Sequence, residues 1–539
     1  MPTIEMALAL FVAVAAFGAI GRWVPLPLPI LLTAGGTLLA FVPGFAGIKL
    51  DPDIFFLLFV PPLLFSDGWL FPKREFLSYL RPILLLAFGL VAATVVVVGY
   101  LMHWLIPALP LAAAFALGAI VSPTDAVATA AVTERLPLPS RVTHIVNGES
   151  LINDASGLVA FKFAVAAAAT GAFSLTEAAG ELVLLAGGGA IAGAAVAAVI
   201  GQVRVRLVRY CVDDPTIQTI ISLLTPYAAY LVAEKLHLSG VLAAVTAGLY
   251  AGWHDTRHLN VATRRHGWEV WGMLLYVFNS LAFILLGLQL PGVVTSLTRR
   301  TWGELATYAF VLYAAITALR VLWVYPGTYL PLLLFRKIRA REGWHNPRAV
   351  LLVGWAGLRG SVTLAAALSL PLTLGDGAPF PGRDLILFLA ASTIVLTLLI
   401  NGLTLPVLIR VLHLRGDGGA EREERAARLS IAQAATNALR SALPRLKRAE
   451  EVSFAHRLIA DYESRLNRHA ANGPRRVDLD NLAASEQRLR LDALGAERVE
   501  LHALRDAQVI NEQTLRAIEA EIDHAETLVI GVPRSGHGG

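Results

Sequence analysis

Long apolar runs separated by short polar breaks occupy residues 1–415, and a charged pattern with helical spacing follows over 416–539. A helix needs about 20 mostly apolar residues to cross the hydrocarbon core of a bilayer. About thirteen runs meet that measure. They fall near residues 4–23, 26–44, 54–70, 79–107, 109–133, 148–171, 178–203, 215–234, 238–253, 268–290, 302–335, 347–372 and 384–413. The first opens MPTIEMALALFVAV, with Glu5 and no basic residue ahead of the apolar stretch, so it reads as a retained helix rather than a cleaved signal. After Gly416, segments such as LSIAQAATNALRSALPRLKRA predict amphipathic helices, divided at Pro444 and at Asn472–Gly473–Pro474, with a disordered GVPRSGHGG end. The expected fold is an all-α polytopic membrane domain, 1–415, followed by a helical tail, 416–539. The tail is open to three readings: regulatory domain, dimer contact or membrane-surface element.

Composition agrees with the pattern. The chain is 56% hydrophobic and 16% charged, whereas soluble domains carry roughly 25% charge. The formal net charge of +5 raises the question of a nucleic-acid partner, but the distribution argues against one. Basic residues gather in the odd-numbered connections: Arg22; Lys73, Arg74 and Arg81; Arg135 and Arg141; Arg204, Arg206 and Arg209; Arg257, Arg264 and Arg265; Arg336, Lys337, Arg339, Arg341 and Arg348. There they meet anionic lipid, and the positive-inside rule puts those loops in the cytoplasm. An odd number of spans then leaves the N-terminus outside and the tail inside. The single cysteine, Cys211, excludes an intrachain disulfide and a cysteine-based metal cluster. No Walker motif occurs, which argues against an ATP-driven pump. Trp69, Trp104 and Trp253, near span ends, read as interface anchors.

Ionisable groups inside a span are costly, so each marks a candidate site. The fifth span holds Ser122, Pro123, Thr124 and Asp125; the sixth holds Glu149, Ser150, Asn153 and Asp154; the twelfth holds Gly354, Gly357, Arg359, Gly360 and Ser361. Pro123 and the glycines around Arg359 predict interruptions of the fifth and twelfth helices, freeing backbone groups that an ion can use. A seven-span offset between the two breaks fits inverted repeats made of spans 1–6 and 8–13. Ser150 and Asp154, four apart, share a helix face. Glu149 and Asp154, five apart, differ by about 140°. This assigns Thr124, Asp125, Ser150 and Asp154 to an ion site and leaves Glu149 to neutralise Arg359. Asp125 is either a ligand or a support for the broken backbone, and no role is assigned to Arg320. The oxygen-only set suits a hard monovalent cation competing with a proton for Asp154. No resident cofactor is implied.

FVPPLLFSDGW (59–69), SPTDAV (122–127), GESLINDASGLVAF (148–161), ALRVLWVYP (318–326) and GLRGSVTLAAALSLP (357–371) together resemble the cation/proton antiporter 1 family, which includes bacterial NhaP-type antiporters. The resemblance covers about residues 4–415. It implies a multi-pass plasma (bacterial inner) membrane homodimer, an elevator-like movement of a six-helix core, and one-for-one exchange of sodium or lithium for protons. It makes Asn153–Asp154 the pair whose second residue carries the ion, Glu149–Arg359 a structural ion pair, and Thr124, Asp125 and Ser150 further ligands. One position departs from the family. Where some members carry an acid that holds the asparagine, this chain has Ser66, and the carboxylate is Asp67, turned by about 100° on a helix. The alternatives are potassium/proton exchange at the same site, or a cation channel.

Overall fold

The computed structural model describes residues 3–24, 26–45, 52–133, 138–170, 175–210, 214–254, 259–295, 297, 300–374, 378–414, 419–471 and 474–530. Arg135, Cys211, Arg257, the Arg415–Gly416 junction, Asn472–Gly473 and the final GVPRSGHGG lie outside the described residues. Among the described residues all regular structure is helical, and β-type pairing is confined to an isolated bridge between Thr373 and Pro379. The chain divides into two compact units, Met1–Arg415 and Gly416–Gly539.

The first unit contains α1 (Thr3–Ile20), α2 (Leu28–Leu39), α3 (Pro52–Leu70), α4 (Lys73–Ser78), α5 (Leu80–Leu84), α6 (Val91–Leu105), α7 (Leu111–Val121), α8 (Ala126–Thr133), α9 (Ser140–Thr170) and α10 (Leu175–Arg209). It continues with α11 (Pro215–Lys235), α12 (Gly240–His254), α13 (Val261–Thr295), α14 (Trp302–Leu334), α15 (Arg336–Glu342), α16 (Pro347–Trp355), α17 (Ser361–Leu368), α18 (Arg383–Leu396) and α19 (Leu403–Val411). Seven helical stretches among the described residues are long and apolar enough to cross a membrane, or eight when α7 and α8, bent by 40° at their break, count as one span.

The unit is inside-out relative to a soluble protein. Leu8, Val12, Trp104, Ile191, Met273 and Leu322 are exposed, whereas Glu149, Asp154, Arg320 and Arg359 are buried. Water would penalise the first arrangement, and lipid would penalise charges on the outside. Together they mark a polytopic membrane protein.

Two packing devices set the positions of the central helices. The first is close approach through glycine: a Cβ on Gly68 of α3 would stand 2.6 Å from the Val245 carbonyl of α12, so only glycine lets these backbones meet. The second is the π-helical turn. One, Leu85–Leu90, joins α5 to α6, and another, Thr397–Gly402, joins α18 to α19. Such turns re-aim backbone and side-chain groups away from the helix. Here the Ala87 carbonyl accepts from Ser156 of α9, and Asn401 donates its amide to the Trp355 carbonyl, at the end of α16, at 3.0 Å.

The loop that leads into α16 is fastened by charge. Arg81 donates to Glu342 at 2.9 Å, and Arg141 Nη2 lies 2.9 Å from His345 Nε2. Burial, and then the Arg141 charge, hold the His345 imidazole below its ordinary value of 6.5, while Glu342, 3.3 Å away, opposes them.

The second unit holds α20 (Gly419–Ala442), α21 (Ala449–Ala470), α22 (Pro474–Asp506) and α23 (Glu512–Ile530). Arg440 reaches Glu463 between α20 and α21, and Arg498 bridges Asp523 and Glu526 between α22 and α23, each at 2.6 Å. Leu501, Leu515 and Ile522 form a small apolar core between the latter two.

Candidate functional site

Both interrupted helices break at the centre of the first unit. The α7–α8 break spans residues 122–125, and the α16–α17 break spans 356–360. Pro123 lacks the N–H that would continue α7. It packs against Gly157 of α9, where a Cβ would come within 2.6 Å of Pro123 Cγ. The two breaks meet directly, because the Asp125 N–H donates to the Leu358 carbonyl at 2.8 Å.

Broken helices leave bare amides and bare carbonyls, and each kind attracts a charge of opposite sign. The Asp125 carboxylate accepts the Ala128 N–H at 3.0 Å, and it stands against Gly360, the residue ahead of α17, where a Cβ would lie 1.6 Å from its Oδ2. One carboxylate therefore serves the N-termini of both α8 and α17. At the carbonyl ends, Arg359 Nε donates to the Val121 carbonyl, the last of α7, at 3.0 Å, and its Nη1 donates to the Gly357 carbonyl. The Arg359 N–H is held by Thr397 Oγ1, from the π-helical turn, at 3.2 Å.

The buried ion pair differs from the one expected. Glu149 is bound bidentately by Arg320 of α14, with Nη2 to Oε2 at 2.6 Å and Nη1 to Oε1, and both residues are 1% exposed. Arg320 Nε also donates to the Val353 carbonyl near the end of α16, at 3.3 Å. The expected Glu149–Arg359 pair is replaced because Arg359 sits within a break. The carbonyls released there lie nearest its donors and take them, whereas Arg320 presents an intact guanidinium fork to the carboxylate.

The residues of α9 distribute around this crossing. Ser150 Oγ accepts the N–H of Ala126, the first residue of α8, at 3.1 Å. Asn153 donates to Thr124 Oγ1 at 2.8 Å, and Thr124 in turn donates to Glu149 Oε1 at 3.4 Å. Asn153 is thus held by Thr124 rather than by Asp67 or Ser66; the Ser66 hydroxyl donates to the Leu63 carbonyl at 2.6 Å.

Thr124, Asp125, Ser150 and Asp154 line one cavity of ≈ 30 Å³, and Asp67 lines it too. That volume holds one or two waters. Among the described residues, none donates a hydrogen bond to the carboxylate of Asp154 or Asp67. The one-residue shift that turns Asp67 away from Asn153 turns it towards the cavity. Glu149, Asn153, Arg320 and Arg359 stand outside the lining and form its support. Three lining residues had no role from sequence: Asn279 on α13, and Ser361 and Thr363 on α17. The rule that a polar residue inside a span marks a site would have found Asn279. Ser361 was named in the twelfth-span cluster without a role, and the Thr363 hydroxyl carries no such signal, since small polar residues are common helix-packing groups.

A carboxylate-lined cavity at the crossing of two broken helices, enclosed by an inside-out helical unit, defines a membrane transporter. The description of the family whose model matches residues 7–411 is "Sodium/hydrogen exchanger, transmembrane". The uncharacterized Na(+)/H(+) exchanger YjcE of Escherichia coli K12 is 38% identical over 532 residues, which is 95% of this chain and 96% of its own. A Bacillus pumilus protein named sodium, potassium, lithium and rubidium/H(+) antiporter is also 38% identical over 532 residues, 97% of this chain and 77% of its own. In fold, the chain is similar to the sodium proton antiporter MjNhaP1 of Methanocaldococcus jannaschii, with a TM-score of 0.58 at 18% identity over 76% of this chain and 99% of that one. The chain belongs to the sodium/hydrogen exchanger family and is a transporter, not an enzyme.

Proposed function

We infer that this protein exchanges sodium or lithium for protons, the two competing for the Asp154 carboxylate. The observation that carries this reading is the cavity. Its oxygens come from Asp154, Asp125, Asp67, Thr124 and Ser150, and it has room for a dehydrated ion but not for one with a full water shell. Oxygen ligands suit hard alkali cations. A carboxylate with no protein donor is free to take either a proton or a cation, so release of one accompanies binding of the other. Movement of the cavity between the two membrane faces then couples the opposing fluxes without a second proton site.

In this reading Asp154 is the carrier, Thr124, Asp125 and Ser150 supply further ligands, Asn153 fixes Thr124, and Arg320–Glu149 and Arg359 hold the crossing together. The protein would work as a homodimer in the plasma membrane with thirteen spans, inverted repeats of spans 1–6 and 8–13, the N-terminus outside and the 416–539 tail in the cytoplasm as a regulatory element. The loop charges and the seven-span offset between breaks support that topology.

The test is Asp154→Asn in everted membrane vesicles with a pH-sensitive dye. Added sodium or lithium should dissipate a preset proton gradient with the native protein, and the variant should fall to the background of empty vesicles while expressing normally. Undiminished exchange would overturn the assignment. Potassium and rubidium belong in the same assay, because the Bacillus pumilus relative is named for them.

A further inference from the structure

The four ligands expected from sequence all come from residues 124–154, and three of them already hold other bonds. Ser150 Oγ accepts the Ala126 N–H, Thr124 Oγ1 accepts from Asn153 and donates to Glu149, and the Asp125 carboxylate accepts the Ala128 N–H. A cation that sheds its water must find protein oxygens to replace that shell. Two further polar residues line the same cavity from helices that pack against each other: Thr363 of α17 and Asn279 of α13.

Thr363 is 1% exposed, and its hydroxyl has no partner among the described residues. A threonine inside a helix commonly donates to the carbonyl four residues back. Thr129, Thr225, Thr246 and Thr393 do so here, at 2.7–2.9 Å. For Thr363 that carbonyl belongs to Arg359, inside the break, and Gly360 between them leaves the helical conformation at φ −150° and ψ −141°. The interruption that opens the site therefore also frees this hydroxyl. A buried hydroxyl without a partner is costly, so an ion that meets its oxygen is favoured. Asn279 is its counterpart on α13: half-buried, and with no hydrogen-bond partner among the described residues. Asparagine carbonyls, like hydroxyls, are neutral oxygen ligands for hard cations.

We propose that the Thr363 hydroxyl and the Asn279 amide oxygen are neutral ligands that complete the cation's shell and weight the competition at Asp154 towards the cation. The proposal rests on Asp154 being the carrier. A proton needs only the carboxylate, whereas a dehydrated sodium or lithium ion needs oxygens around it. Neutral ligands therefore strengthen cation binding without strengthening proton binding, and they add no charge to the crossing.

The experiment reads the thermal unfolding midpoint of the full-length protein in detergent during titration with sodium chloride, with choline chloride holding the ionic strength constant. The native midpoint should rise with sodium. Thr363→Val and Asn279→Leu should each need about tenfold more sodium for the same rise. Thr363→Ser, which restores the hydroxyl, should return to within about twofold of native. Without sodium, Thr363→Val should unfold no earlier than the native protein, because the hydroxyl it removes has no bond to lose. A native-like sodium titration in Thr363→Val or in Asn279→Leu would overturn the proposal. So would a lowered sodium-free midpoint in Thr363→Val, or a failure of Thr363→Ser to recover, since either would assign Thr363 to packing. Asp154→Asn separates this proposal from the reading beneath it. If that variant loses the sodium rise while the other two titrate as native, Asp154 stands as the carrier and the neutral shell falls. If it keeps the native rise, the carrier reading falls and takes this proposal with it.

Discussion

The two broken helices are built from opposite materials. The α7–α8 break, SPTD, contains an acid and no base; the α16–α17 break, AGLRG, contains a base and no acid. Each supplies what the other lacks. Asp125 from the first break reaches the amide end of α17 as well as its own α8, and Arg359 from the second reaches the carbonyl end of α7. Neither break is electrostatically complete alone. A charge lent across a crossing is worth more than one spent at home, because it also fixes the mutual position of the two helices. In that respect the crossing behaves as a single object.

The largest expected effect comes from the pair that backs this object. Glu149→Leu or Arg320→Met alone should cost about 3–5 kcal/mol of stability, since each leaves a buried charge without its partner. The double substitution should lose less than either single one. A double-mutant cycle should show strong coupling for Glu149 with Arg320 and weaker coupling for Glu149 with Arg359; the reverse order would undo the pairing described above. Next come Asp125→Asn and Arg359→Gln, each expected to cost about 1–3 kcal/mol through lost charge-assisted bonds. Their losses should not add in the double variant. If they add within about 0.5 kcal/mol, the breaks are independent and the comparison fails.

Smaller effects sharpen the second break. Thr397→Val removes the acceptor for the Arg359 N–H, at an expected cost of about 0.5–1.5 kcal/mol in thermal unfolding. The last concerns the loop entering α16. The folded state holds the His345 proton less tightly than the unfolded chain, so this contribution to stability is full above 6.5 and is lost as the pH falls from there through the lower folded value. His345→Gln should flatten that part of the stability–pH profile; an unchanged acid limb would show that the imidazole is not its source.

Much of this was legible in the chain. Proline or glycine beside an ionisable residue inside an apolar run located both breaks, whereas prolines such as Pro226 and Pro326 sit inside continuous helices. The four-residue spacing of Ser150 and Asp154 put both on the cavity side of α9. What escaped were choices between like residues. Two arginines lie in neighbouring spans, and sequence spacing carries no information on which of them faces Glu149; that depends on how α14 and the α16–α17 break pack. The direction of Asp67 was equally hidden, since it turns on the register of α3 against α12 at Gly68 rather than on its neighbours in sequence. Asn279 reaches the cavity from a helix whose pattern otherwise reads as lipid-facing and core-packing.

The lending of charge across the crossing has a consequence for how the protein is made. Arg320 follows Glu149 by 171 residues, and Arg359 follows the Val121 carbonyl it caps by 238. A ribosome therefore delivers the acids and the open helix end long before the bases exist. Until α14 emerges, Glu149 has the Thr124 hydroxyl and the Asn153 amide as donors but no opposing charge. The centre is completed in two late steps, by Arg320 on α14 and then by Arg359 after α16, so a chain released before α14 should be less stable in the bilayer than the full chain.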